Sequence, residues 1–190
     1  MADLGILALG TYGNVASTAI QGSDPVLEVI ASPDDADYVY DATNSTHTGV
    51  AQFALGNTPA DLGNVDTVSI RLRYAWASGT QVNTWDTLTA RIFKSDGTTA
   101  LTNAATLATG ITTTTITNSS VVAFTGVDTA ATKTEWDAAV VRISWGISKV
   151  KGGDTIRKNV YAAEVTGTYT EAAPTAIPVF AHHYKTMAAA

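Results

Sequence analysis

Alternating apolar and polar residues along much of the chain predict β-strands. A period of two places every second side chain on the same face of a strand. Three runs show this period clearly: VSIRLRYAWAS, VVRISWGIS and NVYAAEVTGTYT. The predicted inward residues are Ile70, Leu72, Tyr74 and Trp76 in the first run, Val141, Ile143, Trp145 and Ile147 in the second, and Tyr161, Ala163, Val165 and Tyr169 in the third. Each run therefore has an apolar face that another layer must cover.

Shorter apolar runs lie between these three. They are PVLEVIA, DYVYDAT, GVAQFAL, DTLTARIF and SVVAFTGV, and turn-forming groups such as 33–35, 95–97 and 152–154 separate them. About eight strands at this spacing predict an all-β fold, an antiparallel β-sandwich of jelly-roll type. One helical turn is expected in ATKTEWDAA, with Thr132 or Thr134 as its N-cap. The run TGITTTTITN is either an edge strand or a loop.

The two ends of the chain lack clean alternation. We expect an N-terminal arm over residues 1–24, a sandwich domain over 25–171 and a C-terminal arm over 172–190. Pro174 and Pro178 cannot donate to a sheet ladder and favour an extended chain in the last segment. Its apolar residues are expected to dock on a neighbouring molecule: Ile177, Val179, Phe180 and Tyr184. The alternative is that both ends are frayed termini.

Composition excludes several classes of function. The chain has 190 residues, a size that suits one domain. It contains no cysteine, which excludes disulfides, zinc–thiolate sites and thiol catalysis. A net charge of −6 argues against a direct nucleic-acid partner, because such binding needs a dense basic patch. No basic residue precedes the first apolar run and no run is long enough to span a bilayer, so we expect neither a secretory signal nor a membrane partner.

Two groups of residues could bind a metal or carry catalysis. Four acidic residues cluster near one predicted loop, where a calcium ion would need several oxygens: Asp34, Asp35, Asp37 and Asp41. They lack the glycine and glutamate spacing of a calcium loop, so we interpret them as solvated turn carboxylates. The histidines are His47, His182 and His183, and the last two are adjacent in the tail and would point apart. No nucleophile motif accompanies them, so we expect no enzyme, cofactor or metal.

The tryptophans and arginines suggest binding surfaces. Trp76 and Trp145 fall on predicted core faces, whereas Trp85 lies in the polar stretch GTQVNTWDT and is the best candidate for stacking on a sugar. The predicted outward residues of the long strands are Arg71, Arg73 and Arg142, with Glu164 as a possible cross-strand partner. This set is either a solvated face or a subunit contact.

The C-terminal half resembles the β-sandwich portion of structural proteins of tailed bacteriophages. The resemblance covers roughly residues 86–170 and depends on two strand motifs, W-D-x-A-x-V-R-I and V-x-A-x-E-V-T-G-T-Y. The first motif is matched by Trp136, Asp137, Val141, Arg142 and Ile143, and the second by Ala163, Glu164, Val165, Thr166 and Tyr169. The resemblance implies a jelly-roll component of the virion, a head decoration or cement protein, or else a tail or fibre subunit.

The resemblance also implies partners. A decoration subunit would contact the major capsid protein or other virion proteins and would form homo-oligomers. The interface residues expected for such contacts are Ile177, Val179, Phe180, Tyr184, Arg71, Arg73 and Arg142. Two other classes stay open from the residues. A glycan-binding module would use Trp85, Tyr12 or the loop aspartates, and a hydrolase would need a carboxylate pair among Asp34, Asp35 and Asp37.

Overall fold

The chain folds almost entirely into β-strands. The computed structural model describes residues 1–21, 30, 35–41, 47–76, 84–149 and 158–174. These residues form twelve strands and one helix, α1 (Lys133–Asp137). The strands are β1 (Ala2–Asp3), β2 (Leu9–Ala16), β3 (Thr18–Gln21), β4 (Tyr38–Asp41), β5 (His47–Leu55), β6 (Leu62–Trp76), β7 (Thr84–Phe93), β8 (Ala105–Ile111), β9 (Thr117–Asn118), β10 (Val122–Ala123), β11 (Val140–Lys149) and β12 (Lys158–Glu171).

The strands form two antiparallel sheets. Sheet A has the order β10–β6–β12–β4–β3, with β1 also paired to β12 and β9 to β6. Sheet B has the order β2–β5–β11–β7–β8. β9 and β10 pair with successive segments of β6 and act as one interrupted strand. From β4 onward the chain therefore builds two four-stranded sheets, β10–β6–β12–β4 and β5–β11–β7–β8, which is a jelly-roll arrangement.

The all-β antiparallel sandwich predicted from the sequence is confirmed, but the expected count of about eight strands is too low. The additional strands come from two places. The N-terminal segment supplies β1, β2 and β3, and residues 105–118 supply β8, which ends in the threonine-rich stretch, and β9. Both regions are at sheet edges or in very short strands, where only a few side chains are buried and the period of two is weak. The predicted strand PVLEVIA lies, apart from residue 30, outside the described residues.

The core lies between the two sheets, and its main contributors are the long alternating strands. Ile70 and Leu72 from sheet A and Val141, Ile143 and Trp145 from sheet B are all fully buried. The inward faces predicted for β6 and β11 are therefore confirmed at these positions. The side chain of Trp76 lies outside the described part of the structure.

A β-bulge changes one predicted inward position. Val160, rather than Tyr161, pairs with Val39 of β4 and Tyr74 of β6, and the register shifts before Ala162. An extra residue in one strand turns the side chains that precede it to the opposite face. Ala163, Val165 and Tyr169 face the core as predicted, whereas the buried ring of Tyr161 packs on Tyr38 instead.

The N-terminal residues run through both sheets. Within the segment expected to be an arm, β1 and β3 join sheet A and β2 joins sheet B. Leu4, Leu7 and Leu9 are buried in the common core. Residues 2–21 are thus packed as part of the sandwich. At the other end, residues 172–174 follow β12, and the rest of the expected C-terminal arm lies outside the described residues.

The helical turn α1 forms as the sequence predicts. Thr132 is its N-cap and, with Glu135, completes a capping box. Trp136 is buried with 1% of its surface exposed. Asp137 accepts hydrogen bonds from the backbone N–H and the hydroxyl of Thr58, at 2.9 and 2.7 Å. These hydrogen bonds hold the loop between β5 and β6 against the helix.

Candidate functional site

Tyrosines and an arginine cluster on the outer face of sheet A. Val39 points into the core, so its neighbours Tyr38 and Tyr40 point outward. The ring centroid of Tyr38 lies 5.9 Å from that of Tyr40 and 5.2 Å from that of Tyr161. We call this group, together with Arg73, the tyrosine–arginine face. Clustered tyrosine and arginine side chains are typical of protein-binding surfaces.

An acidic residue from a connecting segment fixes Arg73. The Arg73 Nε donates to Asp35 Oδ1 at 2.8 Å, and Nη2 donates to Oδ2 at 2.6 Å. This is a bidentate, charge-assisted pair. The hydrogen bonds from Arg73 hold the pKa of the Asp35 carboxyl below its ordinary value. The charge of Arg73 is therefore neutralised within the chain.

Asn159 lies beside the tyrosines and is almost completely buried. It pairs with Tyr40 of β4 and Ala75 of β6, and its Nδ2 donates to the hydroxyl of Tyr161 at 3.0 Å. Its Oδ1 is buried and accepts no hydrogen bond from the part of the chain that the structure describes.

The predicted set of outward arginines is divided between the two sheets. Arg71 and Arg73 lie on β6, where Arg71 is directly opposite Glu164, as the expected charge pairing requires. Arg142 lies on β11 of sheet B, on the other side of the sandwich. A single ladder of three arginines with Glu164 is therefore wrong. Similar alternation in two strands does not tell whether they share a sheet.

Arg142 belongs instead to a second group, which the sequence did not reveal. Arg142 of β11 lies directly opposite Arg91 of β7. The guanidinium carbons of Arg142 and Arg91 lie 5.1 and 5.2 Å from the ring centroid of Phe93. We call these three residues the paired-arginine face. No local pattern could have found it, because it depends on the register between two strands far apart in the sequence.

The acidic residues considered as calcium ligands do not act as one group. Asp35 pairs with Arg73 and is not simply a solvated turn carboxylate, while Asp41 is buried at the end of β4 opposite Lys158 of β12. Asp34 lies outside the described residues. The residues that the structure describes contain no group of three or more acidic or histidine side chains able to hold a metal ion.

Several other predicted site residues lie where the structure gives no description. His182, His183 and the hypothesised arm contacts Ile177, Val179, Phe180 and Tyr184 are outside the described residues. His47 and Trp85 lie in β5 and β7, but their side chains are outside the described part. Their proposed roles stay predictions. Tyr12 is described: its hydroxyl is 2.9 Å from the hydroxyl of Thr18, and its ring packs on Phe53.

No protein-family model matches the chain. No curated protein matches it either. Among the described residues, none of the helical structure is long and apolar enough to cross a bilayer.

Proposed function

We propose that this chain is a non-enzymatic structural subunit of a tailed-bacteriophage virion, a decoration or cement protein that stabilises the head through contacts between subunits. The observation that carries the proposal is that aromatic and arginine side chains lie together on both outer faces of a jelly roll. Sheet A bears three tyrosines with Arg73, and sheet B bears Phe93 with two arginines, and aromatic and arginine residues are enriched at protein–protein interfaces.

The motif residues that resemble phage proteins support the proposal through their positions. Trp136, Val141, Ile143 and Val165 are buried in the core, so they specify the sandwich. Arg142 and Glu164 point outward, on sheet B and sheet A respectively. Jelly rolls occur in viral capsid proteins and in lectins, so the fold is compatible with the proposal without identifying the function.

The C-terminal segment supplies the test. Ala172 donates its N–H to the carbonyl of Asp61 at 2.8 Å, so a truncation should keep residues up to Pro174. We expect a chain ending at Pro174 to fold but to lose binding to capsids that lack the protein. A full-length variant with Phe180→Ser and Tyr184→Ser tests whether capsid binding depends on these apolar side chains or only on the length of the chain.

Co-sedimentation with capsids provides the measurement, and far-UV circular dichroism checks the fold. The proposal predicts that the full chain pellets with capsids and that the truncated chain stays in the supernatant. If the truncated chain binds as well as the full chain, the C-terminal segment is not the contact. If neither form binds capsids, tails or fibres, the virion role itself is refuted.

A carbohydrate-binding function is the second candidate, because the tyrosine–arginine face offers both requirements of a sugar site. Aromatic rings provide surfaces for stacking, and the Asp35–Arg73 pair beside them offers hydrogen-bonding groups. A glycan array with the wild-type protein and the Tyr38→Ala and Tyr40→Ala variants tests it. Binding that is lost in both variants would favour this function over assembly.

A further inference from the structure

The paired-arginine face places two like charges directly across neighbouring strands. Arg142 and Arg91 are partners in the β11–β7 ladder. Like charges at such positions destabilise a sheet. Three contacts hold them there: both guanidinium groups lie over Phe93, the Arg142 Nε donates to Gln52 Oε1 at 2.9 Å, and the Arg91 Nε donates to the carbonyl of Thr102 at 2.8 Å.

These contacts fix the arginines without neutralising them. Neither arginine forms an ion pair with a carboxylate of the described residues, and each donates through its Nε to an uncharged acceptor. The chain as a whole has 17 acidic and 11 basic residues, so carboxylates are not scarce. The terminal N–H groups of the two guanidiniums therefore have no anionic acceptor among the described residues and can bind one from a second molecule. Carboxylates suit them best, because arginine binds them in a bidentate geometry.

A region of opposite charge lies on sheet A. Asp61 accepts a hydrogen bond from the hydroxyl of Tyr169 at 2.7 Å, and Asp66 accepts one from the hydroxyl of Thr170 at 2.9 Å. Glu171 is exposed at the end of β12, next to these residues in the β6–β12 ladder. The hydrogen bond to Asp61, together with burial and the nearby charge of Glu171, raises the pKa of Tyr169 to about 12. We call Asp61, Asp66 and Glu171 the acidic strand end.

We propose that the paired-arginine face of one subunit binds the acidic strand end of a second copy of this chain. The inference rests on the proposed structural function and specifies the contact through which subunits join. The two surfaces belong to different sheets, so the contact is heterologous. A heterologous contact repeats from subunit to subunit and gives a ring if it closes or an open array if it does not.

Neutral substitutions on each side give a direct test. Variant one carries Arg91→Gln and Arg142→Gln, and variant two carries Asp66→Asn and Glu171→Gln; Asp61 is retained because it bonds to Tyr169. The control is Lys133→Gln, which removes one positive charge that is already paired with Asp137 and lies outside both surfaces. Sedimentation velocity and native mass spectrometry measure the assembly state of each protein over a concentration series, and circular dichroism confirms folding.

We expect the wild type and the control to self-associate and each variant to bind itself at least tenfold more weakly. A mixture of the two variants should form a 1:1 dimer and nothing larger, because each supplies one intact surface. Raising the salt from roughly 0.05 to 0.5 M should weaken wild-type assembly, since exposed charges are then screened.

Three results would overturn the inference: a monomeric wild type, variants that assemble like the wild type, or a mixture that stays monomeric. Loss of capsid binding in variant one with unchanged self-association would also overturn it, because the arginines would then face another virion protein. Self-association through this contact without any binding to capsids, tails or fibres would uphold the inference and refute the virion role, so the two proposals fail separately.

Discussion

Replacing Trp145 tests the register of the central strand of sheet B. Trp145 is fully buried and lies between Gly49 of β5 and Leu88 of β7. A tryptophan buries about 150–250 Å², and at about 25 cal/mol per Å² its removal from the core forfeits roughly 4–6 kcal/mol. Alanine recovers a small part of this loss. The space left would persist, because Gly49 has no side chain to fill it and the carboxylate of Asp41 already occupies the position of its missing Cβ.

One feature of Trp145 reduces the stability that its removal is expected to cost. Its Nε1–H is buried and has no hydrogen-bond acceptor among the described residues. Removing a buried, unsatisfied donor regains part of its desolvation cost, about 1–3 kcal/mol. The net loss for Trp145→Ala should therefore be about 1–5 kcal/mol, or about 3 kcal/mol at the midpoints of the two ranges. Trp145→Phe keeps most of the apolar volume and also removes the unsatisfied donor, so it should cost less than about 1.5 kcal/mol.

Equilibrium urea unfolding followed by far-UV circular dichroism measures both free energies without depending on tryptophan fluorescence. Ser144→Ala, the neighbouring residue on the outer face, is the control and should change stability by less than about 0.5 kcal/mol. A loss below about 1 kcal/mol for Trp145→Ala would refute the inward register. A cost for Trp145→Phe equal to that for Trp145→Ala would refute the account of the lost apolar volume, because both variants remove the same indole N–H.

Two further predictions concern the groups that hold the arginines. Gly97 has a φ of +66°, and a Cβ there would collide with Arg142 Nη2. Gly110 has a similar φ of +56° but open surroundings, so Gly97→Ala should lose more stability than Gly110→Ala. Equal losses of stability in thermal unfolding would contradict this. Because Arg73 lowers the folded-state pKa of Asp35, the stability that Asp35 contributes is present above about pH 4 and disappears as the pH falls through that lowered pKa. Asp35→Asn should therefore cost at most about 1 kcal/mol at pH 7 and less at about pH 2, as urea unfolding at the two pH values would show.

The sequence predicted those parts of the fold in which one face of a strand is buried along its whole length. In β11 every second residue from Val141 to Ile147 is buried, so burial and the period of two coincide. The prediction failed at Tyr161 because a bulge inserts an extra residue, and no local residue marks it. It also missed β2, an edge strand with few buried side chains, in which Gly and Asn replace the usual apolar residues.

The candidate surfaces could be predicted less well, because they depend on strand pairing. Arg91 and Arg142 are 51 positions apart and meet only through the β7–β11 register. Asp35 reaches Arg73 only because β4 and β6 both flank β12. A period of two tells which side chains point outward, but it does not tell which outward side chains are neighbours.

The two arginine groups differ in whether a carboxylate of the described residues neutralises their charge. Arg73 has its own carboxylate, and the Arg73–Asp35 pair is complete without a second molecule. Arg91 and Arg142 instead repel one another and, among the described residues, contact only uncharged acceptors and one aromatic ring. Binding an outside carboxylate would gain little on sheet A, where it must compete with Asp35. On sheet B the same carboxylate would relieve the repulsion as well as form new hydrogen bonds, which is why we propose the subunit contact there.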